Sequence, residues 1–91
     1  GRAVVDHSLL MDVMQLQEAL QDADNQEAVD QVGATNQMHI DRVLDALNKA
    51  FSDAHPNTNR IRQLAVELRY WTNIDKAVRE WQPGQRVELN H

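Results

Sequence analysis

Cysteine is absent from this chain of 91 residues. Its absence excludes disulfide frameworks, thiol nucleophiles, thiolate metal sites and any cluster ligated by the chain's own sulfurs. Long apolar runs are missing too, since no stretch approaches the ~18 consecutive apolar residues that a membrane span needs. The net charge of −5 is unfavourable for contact with nucleic-acid phosphates. We therefore expect neither a membrane nor a nucleic acid as a partner.

The residue patterns that catalysis or metal binding requires are also missing. The four histidines show no ligand spacing with one another or with acidic residues; they are His7, His39, His55 and His91. No glycine-rich loop could hold a phosphate, and neither serine lies in a nucleophile motif. The sequence predicts a protein without a metal site, without a cofactor and without enzymatic activity.

Helical periodicity is what the chain does have. Its two prolines and three glycines fall mostly between three segments, over about 6–21, 25–53 and 58–81, and a tail follows over 82–91. Apolar residues recur in each segment at spacings of three and four, which is typical of helices with one buried side. Short connections between such helices predict a single all-α domain, an antiparallel three-helix bundle.

The first predicted helix has a well-defined apolar seam. The helix starts at Asp6 or Ser8, either of which can accept a first-turn N–H. The seam residues follow at spacings of four, three and four: Leu9, Val13, Leu16 and Leu20. They fall within about 60° of one another on a helical wheel, which is enough to dock one helix of a small bundle.

The second predicted helix opens at Asp24, with Glu27 three residues later in the pattern of a capping box. Its apolar positions are Val29, Val32, Ile40, Val43, Leu44, Leu47 and Phe51. Gly33 interrupts the helix at a cost of roughly 1 kcal/mol relative to alanine, so we expect a bend or break there.

The tripeptide His55-Pro56-Asn57 is similar to the His-Pro-Asp of J-domains but lacks the acid, and no basic-rich helix precedes it. We interpret it as a helix stop followed by a cap for the third helix, which begins near Asn57 or Thr58. The apolar positions of that helix are Ile61, Leu64, Leu68, Trp71, Ile74, Val78 and Trp81, and Pro83-Gly84 ends it.

A second apolar strip on the first helix exceeds what its seam requires. Leu10 and Met14 are rotated roughly 100–140° from Leu9, and Met11 about 200°. The flanking residues are polar: Gln15, Gln17, Glu18 and Gln21. The strip either faces the third helix inside the bundle or forms an exposed contact site with a polar rim.

The third helix carries a tyrosine outside its seam. Tyr70, like Val66, points away from the apolar seam on the helical wheel and follows Arg69. A tyrosine in such a position either half-covers the edge of the bundle or anchors a partner.

Two segments resemble a known family. LLMDVMQLQEALQDA is similar to the start of the C-terminal domain of HscB/Jac-type J-protein co-chaperones, where an aromatic or leucine precedes Leu-Met, an acid, two leucines and a glutamate. VELRYWTNIDKAVREW is similar to the last helix of that domain, where Leu-Arg precedes an aromatic. The resemblance covers essentially the whole chain, and the ending EWQPGQRVELNH is closer to fungal mitochondrial members than to bacterial ones.

The resemblance implies a partner and a location. In the family, a J-domain stimulates the ATPase of a DnaK-type heat-shock chaperone. The C-terminal domain binds the iron–sulfur scaffold protein (IscU/Isu type) and delivers it to that chaperone for cluster transfer. By position, the implied contact residues are Leu10, Met14 and Tyr70, with Met11, Gln15 and Glu18 as their rim. The J-domain is expected to be absent from these residues, and the implied location is the mitochondrial matrix, or alternatively the bacterial cytoplasm.

Two positions depart from the family pattern. Met14 stands where members usually have leucine, a nearly volume-conserving exchange that should be tolerated. Gln15 stands where an acid is common, which weakens the case for a charge-assisted contact there. The alternative function is a helical dimerisation or protein-interaction bundle in which the same strip pairs with itself.

Charge is unevenly distributed along the sequence. Residues 1–53 contain ten acidic and three basic residues, whereas residues 54–91 contain four acidic and six basic ones. The pattern fits ordinary solvated surfaces, with the third helix attracted to its neighbours. It also fits electrostatic steering towards a basic partner.

Overall fold

The computed structural model describes residues 6–83, which form three helices: α1 (His7–Asp22), α2 (Gln26–Ser52) and α3 (Thr58–Glu80). The predicted all-α, three-helix arrangement is confirmed, and each helix begins and ends within one residue of its predicted bounds. No helix in the described part of the chain is long and apolar enough to cross a membrane. Most of the predicted tail, including Gly84 and His91, lies outside the described residues.

The start of α1 is set by Asp6, the first of the two predicted caps. Its carboxylate accepts the backbone N–H of Ser8 at 3.1 Å, which satisfies a donor that the helix itself leaves unpaired. The predicted seam is confirmed, because three of its residues are buried and Leu9 packs against the same core.

The cap of α2 differs from the predicted capping box. Asn25 adopts the extended backbone of a cap residue, and its side-chain oxygen accepts the N–H of Ala28 at 2.8 Å. Asp24 instead accepts the side-chain N–H of Asn25 at 3.0 Å. The cap therefore lies one residue later than predicted, so Glu27 is not at the position from which a capping-box glutamate reaches back.

The predicted break at Gly33 is wrong, since α2 runs through this residue without interruption. A Cβ atom at Gly33 would lie 3.2 Å from Cγ1 of Val78 on α3, tighter than ordinary van der Waals contact. The absent side chain thus allows the two helices to approach closely. Packing between α2 and α3 offsets the intrinsic cost of glycine in a helix.

The interpretation of residues 55–57 as a stop and a cap is confirmed. α2 ends at Ser52, and the side-chain oxygen of Asn57 accepts the N–H of Arg60 at 3.1 Å. At the other end, Trp81 caps α3 by donating its backbone N–H to the carbonyl of Val78 at 3.3 Å.

α2 and α3 form an antiparallel hairpin, because residue numbers rise on one helix as they fall on the other. Contacts join Gly33 to Val78, His39 to Trp71, and Arg42 to Glu67. Only three residues separate α1 from α2, so α1 covers the end of the hairpin where α2 begins. Residues 51–60, at the far end, are all exposed.

Trp71 is the centre of the contact between α2 and α3. Its fully buried ring stacks on His39 with 4.1 Å between ring centroids, and its indole N–H donates to the carboxylate of Glu67 at 3.0 Å. Arg42 forms an ion pair with the same carboxylate. The buried amide nitrogen of Asn36 donates to the backbone carbonyl of Trp71 at 2.8 Å. Directional contacts of this kind set the register of one helix on the other.

Candidate functional site

The second apolar strip of α1 is exposed. Leu10, Met11 and Met14 retain 38, 47 and 52 % of their accessible surface, whereas the seam of the same helix is buried. Of the two predicted placements, the one inside the bundle is therefore wrong. Because residues three and four apart are neighbours on a helix, these side chains form one continuous surface, which we call the α1 patch.

Polar residues border the α1 patch. Gln15 and Glu18 are both exposed, and Glu18 lies one turn beyond Met14. Among the described residues, the ion pairs lie within α2, within α3 or between those two helices. Glu18 therefore presents its carboxylate beside the patch without an ion-pair partner in the part of the chain that the structure describes. This is an apolar centre with a polar, acidic rim.

Tyr70 is half-buried and packs against the core, so it is not an isolated surface anchor. The structure thus favours the predicted placement in which it covers the edge of the bundle. Its remaining surface borders a shallow hollow on α3 lined by Arg62, Ala65, Val66, Arg69, Tyr70 and Asn73. Leu9, next in sequence to Leu10, packs against the same core cluster as Tyr70. The α1 patch and the tyrosine therefore lie on neighbouring elements that share one core.

Within residues 6–83, no group of three or more histidine, aspartate or glutamate side chains could hold a metal ion. What the surface offers is apolar area, two guanidinium groups beside the tyrosine and a carboxylate on α1. These are means of contacting another protein.

Sequence reasoning missed a second exposed apolar region, on α2. Leu44 and Phe51, which belonged to the apolar positions of this helix, retain 48 and 64 % of their accessible surface, and Met38 retains 72 %. The spacing contained a signal for two of them. Ile40, Leu44, Leu47 and Phe51 follow one another at four, three and four, so the apolar stripe that begins in the core at Ile40 continues into the exposed Leu44 and Phe51.

Residues 5–79 match the family described as the HSCB C-terminal oligomerisation domain. The chain belongs to this family. The predicted resemblance to HscB/Jac-type co-chaperones is thereby confirmed. The family is described by oligomerisation, whereas the resemblance implied scaffold binding.

The chain is similar in sequence to two known co-chaperones. The chain is 30 % identical over 86 residues to the mitochondrial J-type co-chaperone JAC1 of Saccharomyces cerevisiae, covering 94 % of the chain and 46 % of the relative. It is 26 % identical over 74 residues to the iron–sulfur cluster co-chaperone protein HscB of Mus musculus, covering 81 % of the chain and 31 % of the relative. The chain thus spans less than half the length of either relative. No solved structure matches it.

Proposed function

We propose that this domain binds an iron–sulfur cluster scaffold protein of the IscU/Isu type through the α1 patch, Tyr70 and the rim residues Gln15 and Glu18. The observation that carries the proposal is the exposure of three large apolar side chains on a helix that buries a separate seam. Leaving apolar surface in water forgoes about 25 cal/mol per Å² of stabilisation. A partner that covers the strip recovers that free energy on binding.

The names of the relatives support the rest of the proposal. One relative is named as a mitochondrial J-type co-chaperone and the other as an iron–sulfur cluster co-chaperone. In a longer co-chaperone, a J-domain outside these residues would stimulate a DnaK-type chaperone while this domain presents the scaffold to it. The location we propose is the mitochondrial matrix. The domain itself acts by binding and performs no chemical step.

The charge of α1 defines the kind of surface that fits it. The helix contains Asp12, Glu18 and Asp22 and has no lysine or arginine. The proposed partner surface therefore has an apolar centre that accepts Leu10 and Met14, with basic residues around it. Met14 adds a flexible side chain that adapts to an irregular surface.

Calorimetric titration with a purified scaffold protein tests the proposal. We expect Leu10→Ala, Met14→Ala and Tyr70→Ala each to weaken binding by about 2 kcal/mol or more, roughly thirtyfold, and the triple variant to abolish it. Met38→Ala is the matched control, because it truncates an exposed methionine on another helix and should leave the affinity unchanged.

Far-ultraviolet circular dichroism separates lost binding from lost folding. This matters most for Tyr70, which packs against the core. A triple variant with native helical content that still binds the scaffold normally would refute the proposal.

A second candidate function is self-association, which the family description as an oligomerisation domain favours. In the prediction from sequence, the strip on α1 pairs with itself. Sedimentation velocity over a wide concentration range tests it: a mass that rises towards twice that of the monomer supports it, and a constant monomer mass rejects it.

A further inference from the structure

A second apolar surface lies on the hairpin, away from the α1 patch. We define the α2–α3 face as Leu44, Leu47, Phe51, Ile61 and Leu68. Leu44 and Phe51 are exposed, and the other three are half-buried. The face therefore combines protruding side chains on α2 with a partly open apolar floor.

Helix geometry places these five residues on one side of the hairpin. The ion pair between Arg42 and Glu67 marks the opposite side. At about 100° per residue, Leu44 and Phe51 are rotated about 200° and 180° from Arg42. In the same rotational sense, Leu68 and Ile61 are rotated about 100° and 120° from Glu67. Because α2 and α3 run antiparallel, the same sense of rotation along each chain leads to the same side of the hairpin on both helices.

The five residues also lie within one short stretch of the hairpin. The pairing of residue 42 with 67, and of 39 with 71, places Leu44 beside residues 65–66 and Phe51 beside residues 58–59. On α3, Ile61 lies between these two heights, and Leu68 lies just beyond the height of Leu44. Leu44 and Phe51 are about 10 Å apart along the axis. The face is thus compact, and it lies towards the exposed end of the hairpin.

We propose that the α2–α3 face is the self-association surface of this domain, and that its occupant is the same face of a second copy. The inference rests on self-association as the second candidate function and changes its location from α1 to the hairpin. The two copies are related by a twofold axis parallel to the helices, so that α2 of one copy lies over α3 of the other.

Charge complementarity supports this arrangement. α2 carries four acidic and two basic residues, whereas α3 carries three acidic and five basic ones. Asp41 lies on the outer rim of the face on α2, at the height of Arg69 on α3, and both are exposed. The proposed twofold axis brings Asp41 of each copy towards Arg69 of the other. Stacking α2 on α2 would instead bring like charges together.

The spacing of the apolar residues points the same way. Ile40, Leu44, Leu47 and Phe51 follow at four, three and four, the repeat by which one helix presents a seam to a neighbouring helix. Ile40 is buried and Leu47 is half-buried within the monomer, but Leu44 and Phe51 are not. The α2–α3 hairpin of a second copy, placed on this face, would bury Leu44 and Phe51 as well.

Sedimentation equilibrium of the 91-residue chain and its variants tests the inference. We expect reversible dimerisation of the wild type and a dimerisation constant at least about tenfold weaker for Leu44→Asp, with the same loss for Phe51→Asp. Met38→Asp introduces the same charge at an exposed apolar position outside the face and should dimerise like the wild type. Circular dichroism verifies that each variant is folded.

Charge exchange supplies a second test that does not remove apolar surface. Asp41→Arg should weaken the dimer, and Arg69→Asp in the same chain should restore it.

Disulfide cross-linking supplies a third test, because the chain contains no cysteine of its own. A mixture of the Leu44→Cys and Leu68→Cys chains should give a disulfide-linked heterodimer. A mixture of the Met38→Cys and Leu68→Cys chains should not.

These experiments test two proposals separately: that the domain self-associates, and that it does so through the α2–α3 face. A chain that remains monomeric at all concentrations overturns both proposals. A dimer that survives Leu44→Asp and Phe51→Asp but is lost with Leu10→Asp overturns the α2–α3 face and leaves self-association standing. Scaffold binding is measured separately and should be unchanged in the Leu44 variant.

Discussion

Asn36 shows how one buried polar side chain can specify a helix pairing. Its amide nitrogen donates to the carbonyl of Trp71, while its side-chain oxygen is buried without a partner among the described residues. Burying an unpaired acceptor costs about 1–3 kcal/mol, so the residue adds little net stability. The hydrogen bond is directional, however, and is lost if α2 shifts along α3, which favours one register over its competitors.

Asn36→Asp should be among the most destabilising isosteric changes in this chain. It removes the donor to Trp71 and directs a buried carboxylate at a carbonyl oxygen. We expect a loss of about 3 kcal/mol or more in the free energy of unfolding, measured by urea denaturation followed by circular dichroism. Gln31→Glu is the control, since it adds the same charge at an exposed position of α2. Similar unfolding midpoints for the two variants would contradict this account of Asn36.

At the scale of the element, each helix begins at a side chain that accepts an otherwise unpaired N–H. Asp6, Asn25 and Asn57 cap α1, α2 and α3. Two of these caps were predictable, because Asp6 precedes an apolar seam and Asn57 follows a proline. Asn25 was missed because its neighbour Asp24 is an equally good cap, and local sequence cannot show which backbone is extended at that point.

Asn57→Ala should destabilise the domain by about 1 kcal/mol, because the N–H of Arg60 loses its acceptor. Asn57→Asp should retain most of the stability, since a carboxylate serves equally well in that position. Asn59→Ala, in the exposed first turn of the same helix, is the control and should change the free energy of unfolding little. A wild-type unfolding midpoint for Asn57→Ala would show that the cap observed here contributes nothing measurable.

Periodicity predicted the helices and the α1 seam well, because the positions of apolar residues repeat with the turn of the helix. It failed where the outcome depends on a neighbouring helix. Gly33 was predicted to interrupt α2 because glycine is unfavourable inside a helix. That prediction failed because the closeness of Gly33 to Val78 is not visible in the local sequence. Likewise, one helical wheel could not decide whether Tyr70 or Leu44 is covered, since the cover comes from elements distant in sequence. Partner binding through the α1 patch remains a prediction.

For the molecule as a whole, packing is uneven. α2 and α3 contact each other along much of their lengths, with a stacked pair, an ion pair and a buried hydrogen bond between them. α1 has only 16 residues and rests on one end of that hairpin. The helix that carries the α1 patch is therefore held by less surface than the two helices beneath it.

Hydrogen exchange should reveal this difference. We expect the buried amides of α1, around Leu16, to exchange faster under native conditions than those around Val43 and Trp71, because α1 can leave the hairpin without complete unfolding. Mass spectrometry of exchanged peptides or NMR measures the rates. Addition of a scaffold protein should slow exchange in α1. Equal protection in all three helices would show that the domain opens only as a single unit.

The burial of Trp71 has an optical consequence. An indole fully withdrawn from water and stacked on His39 emits at shorter wavelength than a hydrated one, so its fluorescence reports whether α2 and α3 are together. Trp81 is half-buried at the end of α3 and is the only other tryptophan in the chain. Replacing it with phenylalanine leaves Trp71 as the single tryptophan, between the two long helices. Separation of the hairpin could then be followed in real time without attaching a dye.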